Sequence, residues 1–247
     1  MKNVITIFTV GNFFLDAAME HGKKLAKIFS AEIEVVAVNH TTSPIDYFSD
    51  NDNNRLLYVM PVSPNYKLTY FSQRYARKWI RKSRVPVLVV GDNEPKEQDY
   101  QQVVLPLDIN CQEKELALWA SYFPTYSQKN CPHIPKENPL IHVIYNQYKD
   151  ELLRQKVQNN IDYVVKLFGS LEVPYQLHPF SKIDNIHIYG LQFAKALKNS
   201  VLLYLIPEHY SFIDLFFGPI VKKLLDNKEN IPVLCLNARD DLFVLCQ

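Results

Sequence analysis

Two stretches, ITIFTVGN at residues 5–12 and VVLPLDIN at residues 103–110, open two parts of the chain in the same way. Each is an apolar run that ends in a polar turn and precedes a segment with helical spacing. The closing stretches also match, since RKWIRKSRVPVLVVGDN at 77–93 and VKKLLDNKENIPVLCLNAR at 221–239 both lead from a basic segment into a strand containing Pro-Val-Leu. The chain therefore contains an internal repeat.

Strand-like runs alternate with helical segments between these ends, which is typical of βαβ units and a parallel sheet. The predicted strands lie at 4–10, 33–38, 55–62, 85–90, 103–107, 140–145, 173–178, 200–206 and 232–236. The first part lacks a middle piece, which by position corresponds to the long helix and strand at 149–178. We therefore expect an α/β fold with two open parallel sheets in tandem, the first of them abbreviated.

Domain boundaries follow from the polar, proline-interrupted stretch DNEPKEQDYQ at 92–101, which is typical of a linker. The predicted domains are 1–91 and 102–238, and a tail follows at 239–247. Within them, we expect one helix at 66–83 and another at 113–123 that Pro124 ends.

Composition excludes several classes of function. The chain has 247 residues and a net charge of +1, so nothing in its charge demands a nucleic acid or a membrane as partner. Hydrophobic residues make up 47% and charged residues 21%, as in a soluble globular protein. Glycine occurs only 6 times, where average usage would give about 17. Glycine-rich phosphate-binding loops are therefore disfavoured.

Cysteine and histidine patterns predict no metal site. The four cysteines form no C-x-x-C pair, and no two histidines have the spacing of a zinc motif. Free thiols, the lack of a signal-peptide pattern and the lack of a long apolar run lead us to expect a cytoplasmic protein without a membrane span.

Three stretches, VVLPLD at 103–108, LDAAMEHGKKLAKIFSAEIEVVAV at 15–38 and VPVLVV at 85–90, together with the order of the elements, resemble the universal stress protein family in its tandem two-domain form. The resemblance covers nearly the whole chain. It implies five-stranded parallel sheets in the order 3-2-1-4-5, and two halves that pair as a pseudo-dimer through their last strands. It also allows a homodimer and a protein partner that the sequence does not identify.

The resemblance also bears on ATP, because members divide into ATP binders and non-binders. Asp108 matches the Asp that ends the first strand of the family, and Gly218 matches the glycine of its G-[ST] pair. Pro219 follows that glycine instead of Ser or Thr, and residues 206–217 contain no glycine where the family has G-x-x-G. The first copy has Val10 or Gly11 in place of the Asp. The resemblance thus implies the fold and argues against the ATP-binding branch.

We therefore expect a non-enzymatic stress-response protein that has no cofactor and acts through protein contacts. The alternative is an ATP- or AMP-binding module that uses Asp108 and Gly218. A third hypothesis, an enzyme of the wider adenine-nucleotide hydrolase-like group, lacks a visible nucleophile or metal set.

Other features also allow a structural interpretation. Asp108 at a strand end could equally cap the following turn. His209 is the best single candidate among the histidines for a functional role. The aromatic side chains nearby favour packing over a ligand pocket; they are Tyr210, Phe212, Phe216 and Phe217. The basic helix face favours a solvated surface; it carries Arg74, Arg77, Lys78, Arg81, Lys82 and Arg84.

Overall fold

The computed structural model describes most of the chain. The described residues are 3–9, 15–38, 55–62, 73–91, 99–109, 114–135, 137–181, 183–206, 220–225, 227 and 229–237. Among them, no helix is long and apolar enough to cross a lipid bilayer.

The described elements alternate as the hydrophobic pattern predicts. The strands are β1 Val4–Thr9, β2 Glu32–Ala37, β3 Arg55–Pro61, β4 Val87–Val90, β5 Gln102–Leu107, β6 Leu140–Gln147, β7 Tyr175–Ser181, β8 Ser200–Ile206 and β9 Val233–Asn237. The helices are α1 Leu15–Phe29, α2 Gln73–Lys82, α3 Lys114–Asn130, α4 Glu151–Ser170, α5 Ile186–Ala196 and α6 Ile220–Leu225.

The described strands form one nine-stranded sheet in the order β2-β1-β3-β4-β9-β8-β5-β6-β7. In its second half the order β7-β6-β5-β8-β9 is the predicted 3-2-1-4-5, and the first half has this order without its third strand. Neighbouring strands are parallel except β4 and β9, the last strands of the two halves. These two pair antiparallel, with Leu88 opposite Leu234. The predicted α/β fold with an abbreviated first half is confirmed.

Helices cover both faces of the sheet, because its strands are apolar on both sides. One core cluster includes residues of α1, α3 and α4 packed on the sheet, and the other includes residues of α2, α5 and α6. Gly190 lets α5 approach the sheet closely, since a Cβ there would lie 2.8 Å from Cγ of Pro106. The position of α5 matters because its first turn contributes to the candidate site.

The prediction that Pro124 ends a helix is wrong. The helix α3 continues through Pro124 to Asn130, although proline removes one backbone hydrogen bond. Aromatic residues on either side of the proline hold the helix in place, because Phe123 and Tyr126 pack on Phe29 of α1 with ring centroids 5.5 and 5.7 Å away. Packing with the first half therefore outweighs the local helix-breaking preference. The predicted helix at 66–83 is described only from Gln73 onward.

Candidate functional site

The carboxyl end of β5 is where an open α/β sheet of this order most often binds a ligand. β5 pairs with β6 on one side and with β8 on the other, so the chain changes direction across the sheet beside β5. Crevices form at such switch points because the following connections leave to opposite sides. Asp108 directly follows β5 and therefore lies at this edge.

The side chain and the backbone of Asp108 are already engaged within the protein. Its Oδ1 accepts a hydrogen bond from the backbone N–H of Ile109 at 2.9 Å and another from the Tyr148 hydroxyl at 2.7 Å. The side-chain amide of Asn160, on α4, donates to the backbone carbonyl of Asp108 at 2.7 Å. Asp108 thus holds the turn after β5 and ties it to α4 and to the end of β6.

His187 lies in the first turn of α5 beside this carboxylate. Asn185 caps the helix, and its Oδ1 accepts from the backbone N–H groups of His187 and Ile188 at 3.1 and 3.0 Å. Burial lowers the pKa of His187 to about 4, although the negative charge of Asp108 acts in the opposite direction. The imidazole is therefore neutral at neutral pH, and it packs edge-on against the Tyr204 ring at 5.1 Å.

Two buried polar atoms at this edge lack a hydrogen-bond partner among the described residues: Nδ1 of His187 and Oδ1 of Asn146. Asn146 is 8% exposed, and its amide nitrogen donates to the carbonyl of Ile183 at 2.9 Å. Buried polar atoms are normally hydrogen-bonded, so such atoms mark positions where a polar molecule can be bound. Asp108, Asn146 and His187 are therefore the described residues of a small polar site.

Of the two predicted site residues, the structure describes only Asp108. Gly218 lies outside the described residues, as do Pro219, His209 and the aromatic residues near them. The basic face is described at Arg81, Lys82 and Arg84. Sequence reasoning missed Asn146, Tyr148, Asn160 and His187. For His187 a signal was present, since Asn185 precedes an apolar helical segment and so predicts a helix start at this position.

A second histidine group lies across the strands of the second half. His142 is 5% exposed. Its Nε2 lies 2.6 Å from Oε1 of Gln102 on β5, and its Nδ1 lies 3.0 Å from Nε2 of His178 on β7. Phe193 of α5 packs on both rings. Burial lowers the pKa of His142 to about 4 and also lowers the pKa of His178, so both imidazoles are neutral at neutral pH. Within the described residues, no three His, Cys, Asp or Glu side chains come together as a metal site.

A cavity of about 280 Å³ lies near the amino end of β5, between the end of α1 and the turn after α3. Lys24, Lys27 and His133 line it together with Asp99, whose carboxylate is 3.9 Å from Nζ of Lys24. The positive charge there is therefore partly balanced within the protein. The carboxyl end of β5 at Asp108 remains the better candidate, because two buried polar atoms there lack partners among the described residues.

No protein-family model and no curated protein matches the sequence. Solved structures do share the fold across the chain. A universal stress protein from Archaeoglobus fulgidus DSM 4304 aligns over 98% of this chain and 88% of its own, with a TM-score of 0.60 and 12% identity. A protein from Pseudomonas aeruginosa UCBPP-PA14, provisionally assigned to the universal stress proteins, covers 99% of this chain and 96% of its own, with a TM-score of 0.58 and 13% identity.

A protein of unknown function from Pseudomonas aeruginosa PAO1 aligns over 98% of this chain and 84% of its own, with a TM-score of 0.56 and 13% identity. At such identities the likeness concerns the fold alone. The chain has the fold of these universal stress proteins, as the resemblance implied.

Proposed function

We propose that this chain is a universal-stress-protein-like protein that has lost ATP binding, catalyses no reaction and acts by binding another protein. The observation that carries the proposal is the engagement of Asp108. The Tyr148 hydroxyl donates to its carboxylate at 2.7 Å, and the Ile109 N–H donates to the same oxygen. A nucleotide hydroxyl or amino group would have to compete for this carboxylate with the Tyr148 hydroxyl, whose charge-assisted hydrogen bond is among the stronger kinds in proteins.

The sequence after β8 supports the same proposal. Phosphate groups are bound by backbone N–H groups that glycine leaves accessible. Residues 206–217 contain no glycine, and Pro219 has no backbone N–H to donate. A triphosphate would therefore lack the donors that this fold usually places beside β8.

A second candidate function is nucleotide binding through Asp108 and Gly218. The observation in its favour is the pair of buried atoms without described partners, Oδ1 of Asn146 and Nδ1 of His187. A ribose or a base could supply the missing hydrogen bonds.

Isothermal titration calorimetry of the purified full chain with Mg·ATP and with AMP separates the two functions. We expect no saturable heat at micromolar nucleotide, and no release of phosphate from ATP on long incubation. Micromolar binding that Asp108→Ala abolishes would overturn the proposal and establish the alternative.

Two Tyr→Phe variants refine this experiment. Tyr148→Phe removes the hydroxyl that donates to the carboxylate of Asp108, and Tyr126→Phe on α3 is the matched control away from this edge. Weak ATP binding that appears only in Tyr148→Phe would show that the tyrosine excludes the nucleotide. Equal ATP binding by the wild type and both variants would contradict the role we give to Tyr148.

A further inference from the structure

The strand β2 ends the described sheet with an open edge. It pairs with β1 on one side, and the described residues supply no strand on its other side. Val35, in the middle of β2, is 46% exposed, although a β-branched apolar residue in a strand is normally half-buried or buried. Within the part of the chain that the structure describes, this edge therefore offers both apolar surface and backbone groups that no neighbouring strand pairs with.

Comparison with the second copy of the internal repeat shows that the exposure of Val35 is unusual. β2 and β6 are equivalent, since Val4 of β1 pairs with Glu32 and Gln102 of β5 pairs with Leu140. Val35 of β2 therefore corresponds to Val143 of β6. Val143 is 0% exposed, within the core cluster that includes the apolar face of α4, and it also lies beside β7. The same residue type is covered in one half and exposed in the other.

The backbone of β2 alternates in direction along the strand. The N–H groups of Glu32 and Val38 donate to carbonyls of the β1 side at 2.9 and 2.7 Å. In a parallel pair, alternate residues point to the same neighbour, so even-numbered residues of β2 face β1 and odd-numbered residues face outward. Val35 thus directs its N–H and C=O away from β1, toward a strand that could be added there.

The strand at the other end of the sheet, β7, is less suited to pair with an added strand. The N–H of Ile141 on β6 donates to the carbonyl of Pro174 at 3.1 Å. By the same alternation, even-numbered residues of β7 face β6, and Pro179 therefore occupies an outward position. Proline there removes a donor from the free edge without breaking the ladder to β6. No described residue of β2 is a proline, so β2 is the edge better suited to accept a strand.

The side chains of β2 indicate which strand would fit. Ile33 and Val35 lie on one face of the strand, and Glu32 and Glu34 lie on the other. Glu34 also forms an ion pair with Arg55 of β3. An added strand would gain from apolar residues on the first face and from basic residues on the second. The β2 of a second copy would supply no such basic residue, because β2 itself contains neither Lys nor Arg.

We propose that β2 is the docking edge for an extended segment of a partner protein in which apolar residues alternate with Lys or Arg. This inference rests on the proposed function, because it names the surface through which the protein would bind its partner. The segment would extend the sheet by one strand through the outward backbone groups of Ile33, Val35 and Ala37.

The probe is a fluorescein-labelled heptapeptide of alternating lysine and valine, titrated with the full chain and followed by fluorescence anisotropy. We expect saturable one-to-one binding. Val35→Pro should weaken it by about tenfold or more, because it removes an outward hydrogen-bond donor at the centre of the edge. The matched control is Leu177→Pro on β7, where Leu177 is 38% exposed and also in an outward position; its affinity should stay within about twofold of the wild type.

A second variant covers the case in which Val35→Pro does not fold. Val35→Lys keeps the backbone donor, removes the apolar contact and repels the basic peptide, so it should also weaken binding. A peptide with glutamate in place of lysine should not bind at the same concentrations.

Equal affinity for the wild type, Val35→Pro and Val35→Lys would overturn the proposal, as would protection from hydrogen exchange at amides other than those of β2. A dimer of the chain alone that Val35→Pro dissociates would identify a second copy as the occupant, and this too would overturn it. Failure of the peptide experiment leaves the nucleotide titrations unaffected, so the two proposals can fail separately.

Discussion

Acidification is expected to destabilise this protein through His21, a buried histidine of α1 that contacts Tyr100, just before β5. Nδ1 of His21 lies 2.6 Å from the hydroxyl of Tyr100, and the two side chains are 2% and 0% exposed. Burial and, to a smaller extent, the positive charge of Lys24 lower the pKa of His21 to about 3. The native protein therefore keeps this imidazole neutral at pH values where the unfolded chain binds a proton.

The magnitude follows from the difference between the two pKa values. An unfolded histidine has a pKa of about 6.5, so below that pH the unfolded state gains stability by about 1.4 kcal/mol per pH unit. The loss of folding stability begins near pH 6.5 and ends near the native pKa of about 3. Between about pH 6.5 and about pH 5, His21 alone should lower the free energy of unfolding by about 2 kcal/mol. This is a large part of the 5–15 kcal/mol of a typical domain.

Urea unfolding of the wild type and of His21→Gln at about pH 7 and about pH 5 measures this contribution. Glutamine can still accept the hydrogen bond of Tyr100 but does not titrate. The stability lost between the two pH values should therefore be about 2 kcal/mol smaller in His21→Gln than in the wild type. His133→Gln, at an exposed position on the turn after α3, is the control and should behave as the wild type does. An equal pH-dependent loss in wild type and His21→Gln would refute the reasoning.

Two further predictions concern packing and the contact between the halves. Gly190→Ala should destabilise the fold by about 1–3 kcal/mol, because the new Cβ would lie 2.8 Å from Cγ of Pro106. In Gly169→Ala on α4 the new Cβ meets nothing within 4 Å, so this variant should stabilise the fold by about 0.5–1 kcal/mol. Equal melting temperatures of the two variants in thermal unfolding would contradict this prediction. Asn237→Ala on β9 should cost about 1–3 kcal/mol in urea unfolding, because its amide donates to two backbone carbonyls at the end of α2; a wild-type midpoint would show that these bonds add nothing.

Much of the fold was predictable because its signals are local. The apolar runs at 4–10 and 103–107 became β1 and β5 close to the predicted bounds. The predicted absence of a middle piece in the first repeat corresponds, among the described residues, to the absence of a third strand and its helix between β2 and β3. The exception is Pro124, where the local rule predicts a helix end. Contacts of its aromatic neighbours with α1 decide otherwise, and no local pattern carries that information.

The candidate site was predictable only at one residue. Asp108 could be found because it directly follows a strand. Its partners Tyr148 and Asn160 lie 40 and 52 residues further along the chain, and nothing in the spacing pairs them with it. His187 enters the site only because α5 packs on the sheet against β5 and β8 and its first turn lies near Asp108.

The sequence by itself determined the repeat, the α/β class, the abbreviated first half and the shortage of glycine after β8. These features depend on the residue types within short stretches of the chain, so composition and the hydrophobic pattern indicate them directly. Only the tertiary structure decided that Tyr148 engages the carboxylate of Asp108 and that Val35 is exposed while Val143 is buried. The physical reason is that hydrogen bonds and burial depend on which distant segments meet, and two identical residues in equivalent strands differ only in what the rest of the chain places over them.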